Sequence, residues 1–397
     1  MRVLFVAARF PFPPWRGDQA RAFHQLRLLA GRHAVTLLAP GRGATPEGLA
    51  TLRAAGVEVV TVASSPWALL AGVAHGLRRG LPFQVGLFAT RALRRRVTQL
   101  LAERRHDIVH AQLVRAAAAL PERLDLPLVV DLTDALSLNL RRRAEHESGP
   151  LRVLFQVEAR RLLACERALC ARATRVTVVS ADDRAAIGAF PALRLNRNGV
   201  DLARFRPPRE ARDPRRLVFS GNLGYFPSAD AARFLASEIL PRVWRDEPGA
   251  RLALVGARPS RALRDLERRD PRIELHADVA DVAPFLASAA LAVLPLRAGS
   301  GQLFKALEAL ACATPVVATP RALAGLAVEH GRHVLAAESA GEIARAVVDL
   351  LRDPQRAARL GEAGRAYVSE HHAWETVTAD LESIWREAAA QAPVTSA

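Results

Sequence analysis

A chain of 397 residues, 50% hydrophobic and 24% charged, is long and apolar enough for two domains with separate cores, which excludes a disordered polymer. Its formal charge of +16 is unevenly placed: residues 1–205 hold 31 Arg against 16 acidic residues, and residues 206–397 hold 25 basic against 24 acidic, so an anionic partner is expected on the first half. Three cysteines without CxxC spacing argue against a disulfide framework or a thiolate metal site, and no apolar run reaches the ~18 residues that a membrane-spanning helix needs.

Residues 3–7 are short and apolar and read as a buried parallel strand, too soon interrupted by prolines for a secretory leader. A Pro-rich loop covers 9–17, after which Asp18 is placed to cap a helix through Ala22, Leu26 and Leu29. Strands are expected at 34–38 and 57–62, with a helix near 46–55 between them. The segment 67–105 mixes Trp67, Leu69, Leu70, Leu77 and Phe83 with Arg78, Arg79, Arg91, Arg94, Arg95 and Arg96. Such a basic amphipathic pattern suits either the outside of a sheet or an anionic lipid surface.

Residues 107–110 and 128–131 read as strands ending in polar side chains. Open parallel sheets bind ligands at strand carboxyl ends, which makes His110, Gln112, Asp131 and Asp134 site candidates. Taken alone, His110 is as readily a structural histidine. A long helix over 151–173 leads to 176–179, read as the last strand of the first sheet, and Ser180 with Asp183 marks the next helix start. Asn198-Gly199 is a turn signal, and 197–208, closing in two prolines, reads as an interdomain linker.

The alternation then restarts, with strands at 217–220, 252–256, 273–276, 291–296 and 315–318 and closing helices at 340–352, 355–370 and 374–387. Two α/β halves follow from that pattern. The stretch 291–319 is the most informative. An apolar run breaks at Gly299-Ser300-Gly301, and a helix with Leu303, Leu307, Leu310 and Ala311 on one face must stop before Pro315. A strand, a glycine turn and a helix N-terminus form an anion site, which puts a phosphate on residues 300–303. Lys305 and Glu308 are neighbours on that helix, and Glu308 interrupts an apolar run, so its carboxylate needs a partner such as a sugar hydroxyl.

RNGVD at 197–201, the strand leading into Gly221, KALEALACATPVVAT at 305–319 and HGRHVLAAESAGEIARAVVDLL at 330–351 resemble a glycosyltransferase of family 4, over nearly the whole chain. FPFPPWRGDQARAF and SGNLGYFPSADAARF are similar to the sugar transferases of exopolysaccharide systems. The resemblance implies an α/β GT-B fold of two Rossmann-like domains facing a cleft. Their expected bounds are 1–197 on the acceptor side and 198–370 on the nucleotide-sugar side, with 371–397 supplying a helix that crosses back to the first domain. It implies retaining, metal-independent transfer from a UDP- or GDP-sugar to an oligosaccharide or lipid-linked acceptor, with no bound cofactor, in the cytoplasm at the inner face of the membrane.

Residue by residue, Glu308 matches the second glutamate of the family's E-x7-E motif, which holds the ribose. Ser300 stands where the first glutamate would be, and Lys305 matches a lysine kept in the exopolysaccharide branch. Ser300, Gly301 and Gln302 match the backbone that meets the diphosphate, with Arg297 beside them. Gly17 matches the loop that covers it, Gly221 and Asn222 join the donor set, and Ala277 and Val279 match the loop near the base. His110 matches the first histidine of an HxH motif whose second is Gln112 here, so catalysis is assigned to His110, Lys305 and Glu308. Asp131 and Asp134 match an acidic pair, with Asp18 and Arg21 alongside on the acceptor side. A nucleotide-sugar epimerase of the same fold and a basic binding protein are the competing readings. Nucleic acid is disfavoured, because the chain is only 5% aromatic and offers no stacking platform.

Overall fold

The computed structural model of the chain describes residues 1–63, 66–78, 80–145, 147–299 and 302–391. It divides into two compact units, Met1–Arg197 with Val377–Ala397, and Asn198–Thr376.

The first unit carries seven strands: β1 (Arg2–Ala7), β2 (Ala34–Pro40), β3 (Glu58–Val62), β4 (Ile108–Gln112), β5 (Leu128–Thr133), β6 (Arg175–Val178) and β7 (Leu193–Leu195). They lie side by side in the order β3-β2-β1-β4-β5-β6-β7, and every pairing is parallel. VLFVA is apolar along its length, and IVHAQ is buried along its length, because both faces of the sheet are covered. Alternate side chains go to opposite faces. Leu4, Val6, Val109 and Val130 pack into one core, whereas Val3, Phe5, Ile108 and Val129 pack into another with Leu26 and Leu29 of the helix Gly17–Ala30. That second core also takes Leu381, Ile384, Trp385 and Ala388 from the helix Trp374–Ala390. The strand at 175–178 is therefore not the sheet's last: β7 lies outside it, a three-residue strand carrying Arg194 that is too short to show a period.

The segment expected to be one amphipathic run forms three helices, Pro66–Arg78, Phe83–Phe88 and Arg91–Ala102. The last packs on the sheet through Leu93, Val97 and Leu100, started by Thr90 Oγ1 accepting from Leu93 N at 3.3 Å. The first two meet backbone to backbone. A Cβ on Gly72 would lie 2.6 Å from the Gly86 carbonyl oxygen, and one on Gly76 would lie 2.7 Å from Gly86 Cα. Trp67 (79% exposed) and Leu70 (59%) face water instead of the core. Arg79 and the Leu77 side chain lie outside the described residues.

The second unit holds β8 (Asp213–Ser220), β9 (Arg251–Gly256), β10 (Ile273–Ala277), β11 (Ala289–Leu294), β12 (Val316–Ala318) and β13 (Leu335–Ala336). Their order is β10-β9-β8-β11-β12-β13, again all parallel. In each sheet the order reverses next to its first strand, between β1 and β4 and between β8 and β11, and such reversals are where α/β sheets open to ligands. Asn198-Gly199 does not turn the chain. Val200 bridges to Ala373 in parallel, and a Cβ on Gly199 would sit 2.4 Å from the Trp374 ring, so the glycine makes room for an indole.

Candidate active site

In the second unit the site is built at the β8/β11 reversal. Gly221 follows β8 at φ 145°, and its N–H donates to Val255 O at 3.0 Å. Gly256 closes β9 at φ 150°, so near that a Cβ on it would lie 1.7 Å from Gly221 O. Only glycine fits both positions, and their bare backbones leave the strand ends open. Lys305, in the first turn of the helix Phe304–Ala311, reaches into this space. Its Nζ donates to Ser228 Oγ at 2.9 Å, lies 4.6 Å from the Phe219 ring centroid and would be 2.8 Å from a Cβ on Gly221. Burial lowers the Lys305 pKa to about 8, against the opposing pull of Glu308.

Glu308 is one turn further along. Burial raises its pKa to about 7, with Arg204 and then Lys305 opposing the rise. Arg204 is itself held by Asp281 at 2.8 Å, and its backbone N–H donates to Asp201 Oδ1 at 3.0 Å. Among the described residues no hydrogen bond reaches the Glu308 carboxyl. An ammonium beside bare backbone, with a carboxyl one turn away, can neutralise a phosphate and accept a hydroxyl.

Other residues expected in the donor set are placed differently. Ser300 and Gly301 lie outside the described residues, and the helix begins at Phe304 after Leu303. Gln302 is 4% exposed and acts as a staple: Oε1 accepts from Asn198 N at 2.6 Å while Nε2 donates to Gly325 O at 2.9 Å. Arg297 is committed elsewhere, paired with both oxygens of Asp230 at 3.1 and 2.8 Å and stacked 4.3 Å over Phe234. Asn222 Oδ1 accepts from Gly224 N at 3.1 Å and shapes the loop after Gly221. Ala277 ends β10 and Val279 follows it, half-buried, two strands from β8 and so about 10 Å across the sheet.

In the first unit, Gln112 ends β4 and its Nε2 donates to Asp18 O at 2.8 Å. Gly17 opens the helix. Asp18 does not cap it; Arg16 occupies the cap position, and Asp18 is a first-turn acid paired with Arg9. Arg21 and Asp131, expected to meet an acceptor, are both 0% exposed and joined at 2.5 Å. The remaining Arg21 donors go to Asn196 Oδ1 (2.6 Å) and Arg197 O (2.7 Å), and Asp131 Oδ1 accepts from Thr177 and Thr133 N, each at 3.0 Å. The pair ties the first helix to β5 and β6, and its polar atoms are spent inside the fold.

His110 is likewise a correction. It is wholly buried, stacked 4.4 Å from Phe5, and its Nδ1 accepts from Trp385 Nε1 at 3.1 Å. Burial lowers its pKa to about 4, so the ring is neutral. Strand alternation turns it into the core, two residues short of the strand end. Asp134 stays half-buried after Thr133 (φ 62°), its pKa raised to about 8 by burial and then by Asp183.

With this geometry in place, sequence comparison decides the family. Residues 15–204 match the model described as Glycosyltransferase Family 4, and residues 214–353 match that described as Glycosyl transferases group 1. The chain is a GT-B glycosyltransferase of family 4. It is an enzyme that uses nucleotide-sugar donors. This glycosyltransferase is 28% identical to glycogen synthase of Mycobacterium tuberculosis over 428 residues, 97% of this chain and 94% of the relative. It is 30% identical over 244 residues to the GDP-mannose-dependent alpha-(1-6)-phosphatidylinositol monomannoside mannosyltransferase of the same species, covering 53% of this chain and 61% of the relative. Its fold is similar to sucrose-phosphate synthase of Thermosynechococcus elongatus (TM-score 0.72, 17% identity, 98% and 99% of the two chains). It is also similar to Anabaena HepE, solved with UDP and glucose (TM-score 0.69, 16% identity, 97% and 100%).

Sequence reasoning missed several groups of this glycosyltransferase. Ser228 lies within the SGNLGYFPSADAARF motif and Phe219 just before it, neither standing out, yet they hold Lys305. Glu166 accepts from Ser137 N at 3.1 Å, with its pKa raised to about 7 by burial, and Asp183 accepts from Ala135 N at 3.0 Å beside Asp134. Glu166 was legible, since it interrupts the apolar run LLACERALC just as Glu308 interrupts LEALA.

Proposed function

We propose that this glycosyltransferase retains anomeric configuration and, without a metal, moves a sugar from a UDP- or GDP-linked donor to a glycan or lipid-linked acceptor in cell-surface or exopolysaccharide synthesis. The observation that carries the donor half is the Lys305 ammonium, fixed by Ser228 against the open backbones of Gly221 and Gly256. When the glycosidic bond breaks, charge develops on the departing diphosphate, and a preorganised cation there stabilises it. Glu308, free of protein hydrogen bonds among the described residues, accepts the ribose hydroxyls.

The acceptor side is the first unit, where Asp134 and Gln112 sit at strand carboxyl ends. Its membrane seat is supported by charge, 31 Arg against 18 acidic residues, and by exposed Trp67, Leu70, Leu151, Val153 and Leu154. Among the described residues no helix is long and apolar enough to cross a membrane. The relatives' names cover one glycan product and one lipid-linked acceptor, so both classes stay in the reading.

A thermal-shift screen of UDP-, GDP- and ADP-sugars identifies the donor, because a ligand that binds only the folded state raises its melting temperature. With that donor, Lys305→Ala and Glu308→Ala each abolish transfer while circular dichroism stays native. Wild-type turnover in either variant overturns the site, and conversion of the donor sugar without an acceptor makes the enzyme an epimerase.

A further inference from the structure

The first unit holds a cavity of about 370 Å³ at the carboxyl ends of β1, β2 and β3, within the range of small-ligand sites. Its lining is of two kinds. Leu69, Leu87 and Phe88 supply an apolar wall, while Arg9, Arg16 and Arg42 supply guanidinium groups, and among the described residues no acidic one lines it. Arg9 is paired with Asp18 and stacked 5.4 Å over Phe88. Arg16 and Arg42 are exposed at the mouth and make no ion pair with a described residue. Beside them stand apolar groups that water does not favour: Trp15, next to Arg16, is 84% exposed, and Trp67, on the helix that supplies Leu69, is 79% exposed.

Two guanidinium groups with no ion-pair partner among the described residues, set over an apolar recess, ask for an anion carried on a hydrocarbon. Guanidinium forks match phosphate oxygens two at a time, and a neutral sugar would leave both without an anion. We propose that this cavity receives the phosphate-bearing head of an amphiphilic acceptor, with the phosphate on Arg16 and Arg42 and the first part of the chain along Leu69, Leu87 and Phe88. The inference rests on the glycosyltransferase reading and narrows its acceptor from a glycan or lipid-linked molecule to a phosphate on an apolar carrier. A polyprenyl phosphate and a phospholipid share that chemistry.

The test is a calorimetric titration of the full-length protein, below micellar concentrations, with a C15 isoprenyl monophosphate, its uncharged alcohol, a short-chain phosphatidylinositol, inorganic phosphate and a neutral oligosaccharide. One of the two phosphate amphiphiles is expected to bind at least tenfold more tightly than the alcohol, inorganic phosphate or the oligosaccharide, and the tighter one names the source. In an Arg16→Gln/Arg42→Gln double variant with a native melting curve, that affinity falls tenfold or more while the alcohol binds as before. Equal binding of alcohol and phosphate, an unaffected double variant, or preference for the oligosaccharide overturns the proposal. A parallel titration of wild type with UDP and GDP judges the donor reading separately, so failure of one is distinguishable from failure of the other.

Discussion

Lys305 and Glu308 have proton affinities displaced in opposite directions, and the signs fix how the enzyme should respond to pH. Lys305 ionises at about 8 in the folded chain, below its ordinary 10.5, because burial disfavours the ammonium. The folded state therefore holds fewer protons than the unfolded one between those values, and this group makes stability rise with pH across that window. Glu308 behaves conversely: raised to about 7 from 4.5, it contributes stability that is complete below 4.5 and lost as pH rises through 7. A bound diphosphate favours charged Lys305. Affinity for the donor's nucleoside diphosphate is thus expected to weaken above about pH 8, approaching tenfold per unit, with Lys305→Arg removing that alkaline limb, and to weaken also as the Glu308 carboxylate takes up its proton below about 7. Calorimetry across pH checks this; an unchanged alkaline limb in Lys305→Arg assigns it to another group.

The site depends on elements meeting without side chains between them. Gly256 ends β9 against the carbonyl of Gly221, so Gly256→Ala must push two strand ends apart and hold alanine at φ 150°. It should cost about 2 kcal/mol or more in denaturant unfolding. Gly341→Ala has open space and an ordinary φ, and should instead be neutral or stabilise by about 0.4–1 kcal/mol. Equal effects of the two would refute the close approach. The longer strands were readable because buried parallel strands are continuous apolar runs, as in VLFVA and LALVG. β7 and β13, three and two residues long, were not: β7 is interrupted by Arg194 and β13 is a single pair, whereas the equally short β12 shows an unbroken apolar VVA. The pairing of Lys305 with Glu308 was readable because its signal is local: the two share a helix turn. Where a distant partner decides, sequence failed. Arg297 is taken by Asp230, Arg21 by Asp131, His110 by Trp385, and Gly199 serves the indole of Trp374.

At the scale of the molecule, two parallel sheets with the same order of reversal carry different charge. The first unit has 31 Arg against 18 acidic residues, the second 25 basic against 22 acidic. If the first meets anionic lipid, co-sedimentation with vesicles should grow with phosphatidylglycerol content and weaken with salt, since surface charge is screened within about 10 Å at 0.1 M. Indifference to lipid charge would remove the membrane from the account. The donor claim is independent of that result. It is tested most directly by titrating UDP and GDP into wild type and Lys305→Ala at pH 7 in a calorimeter. The prediction is that wild type binds at least one of them and that Lys305→Ala, still folded, binds it at least tenfold more weakly, a loss of about 1.4 kcal/mol or more. Equal affinity in the two proteins would contradict it.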